Sequence, residues 1–324
     1  MKKTLIATMV FFAACCQSYA EKKSYLFAYF TGNATAEQQV CFAISDDGVD
    51  FTPVNGGKPV ISSDTIAVQK AVRDPHILHG NDGWYYMVLT DMDYSKGKWS
   101  NHGIVMLRSR NLINWEHHTV DFHERYAGKD FAQANAVWAP QTIWDEKTGK
   151  LMVYFSLHSE KSGPFPKDVV YYAYANADFS GFEGDPQPLF VFPTPTIDTD
   201  IVRSADGLYH VFFNTWGGAE GLGMKHYIAA DLHDQTTWTL QPGKVQPHDV
   251  AAEGPCVYPL EDGGWMLVYD RFRDRMCEFC FSKDLSSFTL LKQTPTEGVF
   301  TPRHGTVIQI GQKEKQALLD HFSK

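Results

Sequence analysis

Basic clusters, cysteine pairs and long apolar runs are all scarce in this sequence, and each scarcity excludes something. The 324 residues carry 29 Lys and Arg against 38 Asp and Glu, for a formal charge of −9, and the cations are spread out. A nucleic acid or an anionic membrane surface is therefore not the expected partner. Six cysteines occur, two of them (Cys15 and Cys16) near the start. Of the other four, Cys277 and Cys280 have the C-x-x-C spacing. No second such pair or histidine pair completes a zinc site, so buried cysteine in a strand is the expectation, with pairing left open. Amphipathic helices are nearly absent, and only Lys313–Phe322 reads as one.

The one apolar run, Leu5–Cys15, follows Met1-Lys2-Lys3 and precedes a polar stretch ending Ser18-Tyr19-Ala20. That order reads as a secretory signal peptide cut after Ala20, and the run is too short to span a membrane. The mature chain, residues 21–324, is expected to be secreted or periplasmic. Lipid attachment at Cys15 is the alternative, although Phe12 fits that signal poorly.

Short aromatic and β-branched runs make up most of what remains: Leu26–Thr31, Tyr85–Thr90, Leu151–Ser156, Tyr209–Asn214 and Trp265–Tyr269. They belong to a repeat. One unit is a turn leading into an aromatic strand, at Asp82-Gly83, Thr148-Gly149, Asp206-Gly207 and Asp262-Gly263. A second unit, a small or polar residue followed by a turn and a lone aromatic, occurs five times. These units close on Phe51, Trp115, Phe182, Trp238 and Phe288, roughly 50–65 residues apart.

Five copies at that spacing predict an all-β, five-bladed β-propeller in a single domain; a two-sheet sandwich is the competing architecture. The first unit occurs four times and the second five. The missing inner strand is expected from the C-terminus, through Arg303–Ile308, pairing with N-terminal strands between Tyr25 and Val54. Such closure removes an exposed sheet edge.

In a propeller the inner-strand starts face the central channel. Here they read Arg73-Asp74-Pro75, Trp138-Ala139-Pro140, Ile197-Asp198-Thr199-Asp200, Glu253-Gly254-Pro255 and Arg303-His304-Gly305. Three of the five carry carboxylates, which strand propensity disfavours. Carboxylates converging on one pocket suit glycoside hydrolysis, in which one ionised group activates water and another donates a proton.

The ordered motifs resemble glycoside hydrolase family 43 over nearly the whole mature chain. The resemblance implies a five-bladed, inverting enzyme acting on a carbohydrate, with α-L-arabinofuranosyl or β-D-xylosyl residues as typical targets. Asp74 matches the general base, Asp198 the group that modulates the acid, and Glu253 the general acid. Trp138 is placed to stack on a sugar. His304 matches a histidine near a calcium ion on the axis of many members, although the chemistry requires no cofactor. Many members have Ile-Asp-Pro where Asp198-Thr199-Asp200 stands here, and strand alternation puts both carboxylates on one side, so Asp200 competes for the modulator role.

Asp91, Arg271, Arg303 and the loop Trp216-Gly217-Gly218 are further candidates for the rim of the pocket. Tyr29 and Phe30 read as core residues before sugar platforms. Arabinofuranosidase activity is the first expectation, β-xylosidase or exo-galactanase activity the alternative. A retaining, invertase-like mechanism lacks the Asn-Asp-Pro that it would need before Arg73. A carbohydrate-binding propeller without catalysis would have no use for all three carboxylates.

Overall fold

The computed structural model describes residues 22–217 and 222–323; the expected signal peptide, with Cys15, and Gly218 lie outside them. The chain folds into five four-stranded antiparallel sheets. The first blade contains β1 (Ser24–Tyr29), β2 (Cys41–Ser45) and β3 (Thr52–Pro53), and the second runs β4 (Val72–His79), β5 (Tyr85–Asp91), β6 (Gly103–Ser109) and β7 (Glu116–Asp121). The third has β8 (Ala134–Asp145), β9 (Lys150–Ser159), β10 (Val169–Ala175) and β11 (Phe182–Phe190). In the fourth are β12 (Thr196–Arg203), β13 (Tyr209–Thr215), β14 (Gly223–Ala229) and β15 (Trp238–Leu240). The fifth holds β16 (Glu253–Pro259), β17 (Trp265–Arg271), β18 (Met276–Ser282) and β19 (Thr289–Pro295).

The last strand, β20 (Gly305–Ile310), returns to the first blade and pairs antiparallel with β1, from Tyr29↔Gly305 to Ser24↔Ile310. The ring therefore closes as the repeat count implies, and a helix over Gln312–Phe322 follows. The inner strands β20, β4, β8, β12 and β16 each pack against the next around the axis.

Local sequence accounts for both repeat units. In the first, Asp82 Oδ1 accepts from Trp84 N and Gly83 takes φ 77°, folding the hairpin that feeds β5. In the second, a serine hydroxyl caps the turn: Ser45, Ser109 and Ser282 each accept a backbone N–H at 2.9 Å, from Gly48, Leu112 and Leu285. The lone aromatic then enters or precedes the outermost strand; Trp115 and Trp238 donate their indole N–H to Leu112 and Asp231 carbonyls.

Each blade is too thin to bury its own faces, so the core is divided into layers between neighbours. Leu26, Phe42, Met87 and Leu89 fill the layer between blades one and two. Phe122, Phe155 and Phe182 fill the next, and Tyr154, Phe190 and Phe213 the third. Phe212, Leu267 and Phe288 lie between blades four and five, and Phe27, Phe51 and Phe279 between five and one. Truncating one of these phenylalanines to alanine costs about 3–5 kcal/mol. The four cysteines Cys41, Cys256, Cys277 and Cys280 are buried as free thiols.

Candidate active site

Four inner strands carry the same irregularity near their N-terminal ends. Pairing with the next strand skips between Arg73 and His76, Trp138 and Gln141, Ile197 and Asp200, and Glu253 and Cys256. The first residue of each bulge has positive φ: Asp74 53°, Ala139 46°, Asp198 50° and Gly254 65°. Three non-glycine residues in that region represent backbone strain concentrated at one place, and bulges re-aim side chains in this way. The bulge residues point to the axis. The residues just before them, Arg73, Trp138, Ile197 and Glu253, line a wider cavity of about 540 Å³ above. That volume lies within the range of small-ligand sites.

Asp74 is held from two sides. His304 Nε2 lies 2.8 Å from its Oδ1, and Thr90 Oγ1 donates to Oδ2 at 2.7 Å. Thr90 in turn accepts from Ala139 N, tying the second blade to the third. Burial opposes ionisation here, but the His304 hydrogen bond and charge, Arg73 and Thr90 outweigh it and bring the carboxyl down to about 2.

Asp198 occupies the same bulge position two blades on. Its Oδ2 accepts from Asn214 Nδ2 at 3.2 Å and from Gly254 N at 3.1 Å. Burial is the largest influence on it, and the Glu253 and Asp74 charges add to it, so that the carboxyl is pushed up to about 7 against the pull of His304 and Asn214.

Glu253 enters the cavity one residue before the Gly254 bulge. The Arg303 guanidinium contacts both Glu253 and the fully buried Asp270. His304 stands between Asp74 and Glu253: its Nδ1 is 3.9 Å from Glu253 Oε1 and 3.6 Å from Asp270 Oδ2. Burial alone would lower its pKa, but Asp270 and Asp74 beside the ring raise it to about 10. Gly254 makes room for this ring, because a Cβ there would lie 2.1 Å from His304 Cβ and Cγ.

The structure therefore gathers Asp74, Asp198, Glu253, Trp138, Arg303 and His304 around one cavity, with Trp216 and Leu222 in its wall. Asp200 is not among them. The bulge at Asp198-Thr199 breaks the alternation that would have put both carboxylates on one side. Asp200 instead accepts from Val257 N at 2.6 Å, joining the fourth blade to the fifth, and burial pushes it up to about 7.

Asp91 lies outside the cavity too: it accepts from the backbone N–H groups of Val68 and Gln69, and burial pushes it up to about 6. Arg271 pairs with Glu278 at 2.8 Å and with Asp274; its neighbours Phe272 and Arg273 line the cavity instead. Tyr29 and Phe30 are fully buried, Phe30 beneath the guanidinium groups of Arg73 and Arg303 at 4.4 and 5.3 Å.

Thr90, Asn214, Asp270, Lys98 and Arg273 were not singled out in the sequence. The first three lie on second strands of blades opposite the bulges (Arg73↔Thr90, Ile197↔Asn214, Glu253↔Asp270), so strand pairing from the motifs is the signal that locates them.

Glu253, Asp270 and His304 offer ligand atoms within 4.8 Å of one another. Calcium takes six to eight oxygen ligands. Here there are three donors, with Arg303 already between the two carboxylates. This set suits a guanidinium rather than a calcium ion, and no chemistry is assigned to a metal at this place.

A family model described as "Probable glycosyl hydrolase domain", of the glycosyl hydrolase 43-related type, matches residues 20–316. An α-L-arabinofuranosidase of Bifidobacterium longum subsp. longum is 28% identical over 198 residues, which is 54% of this chain and 18% of that protein. Among solved structures, a family 43 enzyme of Xanthomonas citri complexed with xylotriose superposes with a TM-score of 0.56 at 18% identity, covering 79% of this chain and 81% of the other. A xylan β-1,4-xylosidase of Bacillus halodurans gives 0.55 at 11% identity, covering 89% and 56%. At these identities the structural likeness is one of fold.

Proposed function

This chain belongs to the glycosyl hydrolase 43-related family, and from that premise we propose that this glycoside hydrolase is inverting and exo-acting, releasing terminal α-L-arabinofuranosyl residues. The observation that carries the reading is the placement of Asp74 and Glu253 in one cavity with the His304 ring between them. Inversion needs the two carboxyl groups far enough apart to admit water, and a nucleophilic pair sits closer.

Asp74, ionised at any working pH, takes a proton from a water poised over it. The water oxygen attacks the anomeric carbon as the bond to the leaving oxygen breaks on the opposite side. Glu253 gives its proton to that oxygen. Solvent then returns the proton from Asp74 to Glu253. Asp198, bonded to Gly254 N beside Glu253, adds a carboxyl whose proton state responds to the charge of the acid. Trp138, with one face covered by Trp99 at 5.0 Å, offers the other edge of its ring to the sugar.

The arabinofuranosyl assignment draws on the activity named for the Bifidobacterium relative, and β-xylosidase activity is the second reading, from the activity named for the Bacillus enzyme and the xylotriose bound by the Xanthomonas one. A screen of aryl α-L-arabinofuranosides and β-D-xylosides, with the product anomer followed by NMR, separates them. Glu253→Gln is expected to lower kcat by about 10²–10⁴-fold while sugar affinity stays within about twofold. An unchanged kcat, or a product that first appears with retained configuration, ends the assignment.

A further inference from the structure

The cavity mouth is rich in cations although the chain as a whole bears −9. Arg73, Lys98, Arg273 and Arg303 line the cavity beside Asp74, Asp198 and Glu253, with His304 at its base. Two of these cations have structural partners. Arg73 donates to Asn33 at 2.8 Å and lies over Phe30, and Arg303 is held by Glu253 and Asp270.

Lys98 and Arg273 are different: both are exposed, and neither makes a close ion pair among the described residues, although the Lys98 charge is felt at the buried Asp168. Their near neighbours show that partners were within reach of the same loops. Lys96 pairs with Asp93, and Arg271 with Asp274 and Glu278. Lys96 and Arg271 are absent from the cavity lining, whereas Lys98 and Arg273 belong to it. Lys98 stands over the Trp138 and Trp99 rings, at 5.7 and 5.0 Å. Arg273 sits in the turn after β17, three residues beyond Asp270, the register partner of Glu253. It is thus on the side of the acid, where the leaving group departs.

We infer that the cavity takes an anionic substrate, a glycoside whose leaving-group sugar bears a carboxylate or a sulfate ester, gripped by Arg273 and, across the mouth, by Lys98. The inference rests on the glycosidase reading above and narrows its substrate class. A guanidinium presents paired N–H donors that match a carboxylate or sulfate. Two exposed cations at the mouth favour the approach of an anionic group to that side of the cleft. A neutral pentose chain would offer these two cations hydroxyl acceptors but no opposite charge.

The test is equilibrium binding to the Glu253→Gln protein, followed by tryptophan fluorescence, since Trp138 and Trp216 line the cavity. The probes are a glucuronate-bearing plant heteropolysaccharide, the same polymer after carboxyl reduction, and dextran sulfate. The acidic polymer is expected to bind at least about tenfold more tightly than its reduced form. Lys98→Ala and Arg273→Ala should each weaken that binding by about fivefold, and added salt should erode the preference.

Preference for dextran sulfate over the uronate polymer assigns the site to a sulfate ester. Equal affinity for the acidic and reduced polymers without a preference for dextran sulfate, or no binding of either charged polymer, overturns the inference. Hydrolysis of neutral aryl glycosides by the parent enzyme is read separately. An enzyme that cleaves them but ignores charge refutes only this inference, and one that prefers the charged polymers but cleaves no glycoside refutes only the glycosidase reading.

Discussion

The bulges of the second and fourth blades place an aspartate at the same backbone position with nearly the same φ, 53° and 50°. Both side chains are buried among polar groups near one axis, yet Asp74 is drawn down to about 2 while Asp198 is pushed up to about 7. The difference lies in the donors. Asp74 accepts from a protonated imidazole and a hydroxyl, while Asp198 accepts from an amide side chain and a backbone N–H and faces two other carboxylates. Equivalent positions in a repeat thus acquire opposite proton states through their neighbours. His304, hydrogen-bonded to Asp74 but not to Asp198, comes with the strand that closes the first blade, and Arg73 adds a second cation beside Asp74.

Four substitutions break or sharpen this contrast. Asp74→Asn should cost the most, about 10³–10⁴-fold in kcat/KM, because it removes a charge present at every working pH. Asp198→Asn mimics the protonated form that Asp198 keeps below about pH 7, so near pH 5.5 its loss should be smaller, about 10–10²-fold. Equal losses in the two variants would mean that their proton states do not differ as described.

His304→Gln leaves Asp74 buried without its hydrogen-bonded cation. The Asp74 carboxyl should then rise, moving the acid limb of the pH–rate profile up by about one unit or more. A profile that stays in place would remove His304 from the account of Asp74.

The smallest effect concerns stability alone. Asp200 keeps its proton in the folded chain up to about pH 7, whereas an unfolded aspartate loses it near pH 3.9. Its contribution is therefore fully present below that lower value and is lost as pH rises through about 7. Asp200→Asn, which can still accept from Val257 N, should gain roughly 2–4 kcal/mol relative to the parent between pH 4 and pH 8. Urea melts at the two pH values measure it; a pH-independent difference would show that Asp200 is ionised in the fold.

The blades, the closing strand and the tail helix were legible because turn chemistry and strand period are local and recur five times. Position in the repeat also made Asp74, Asp198 and Glu253 legible, since they stand where channel-facing starts must be. What escaped depended on departures from the period. Asp200 reads as a partner of Asp198 only if the strand is regular, and the Asp198-Thr199 bulge changes its direction. Arg271 ends β17 and turns to Glu278, while Arg273, two residues into the turn, reaches the cavity; nothing local in Arg-Phe-Arg distinguishes them. Asp270 becomes visible only through its pairing with Glu253.

The joining of β20 to β1 also sets the order in which activity can appear during synthesis. Asp74 is made early, but the ring that fixes its charge is 230 positions downstream. A nascent chain can build blades two to five from local hairpins. It cannot set the Asp74 carboxyl against His304, or seat that imidazole over Gly254, until β20 has been made and pairs with β1. Such long-range closure is slow and leaves β1 without its inner partner in the meantime. Termination between Pro295 and His304 should therefore yield chains with most of their sheets but no His304 beside Asp74, so that turnover reports on the closing strand.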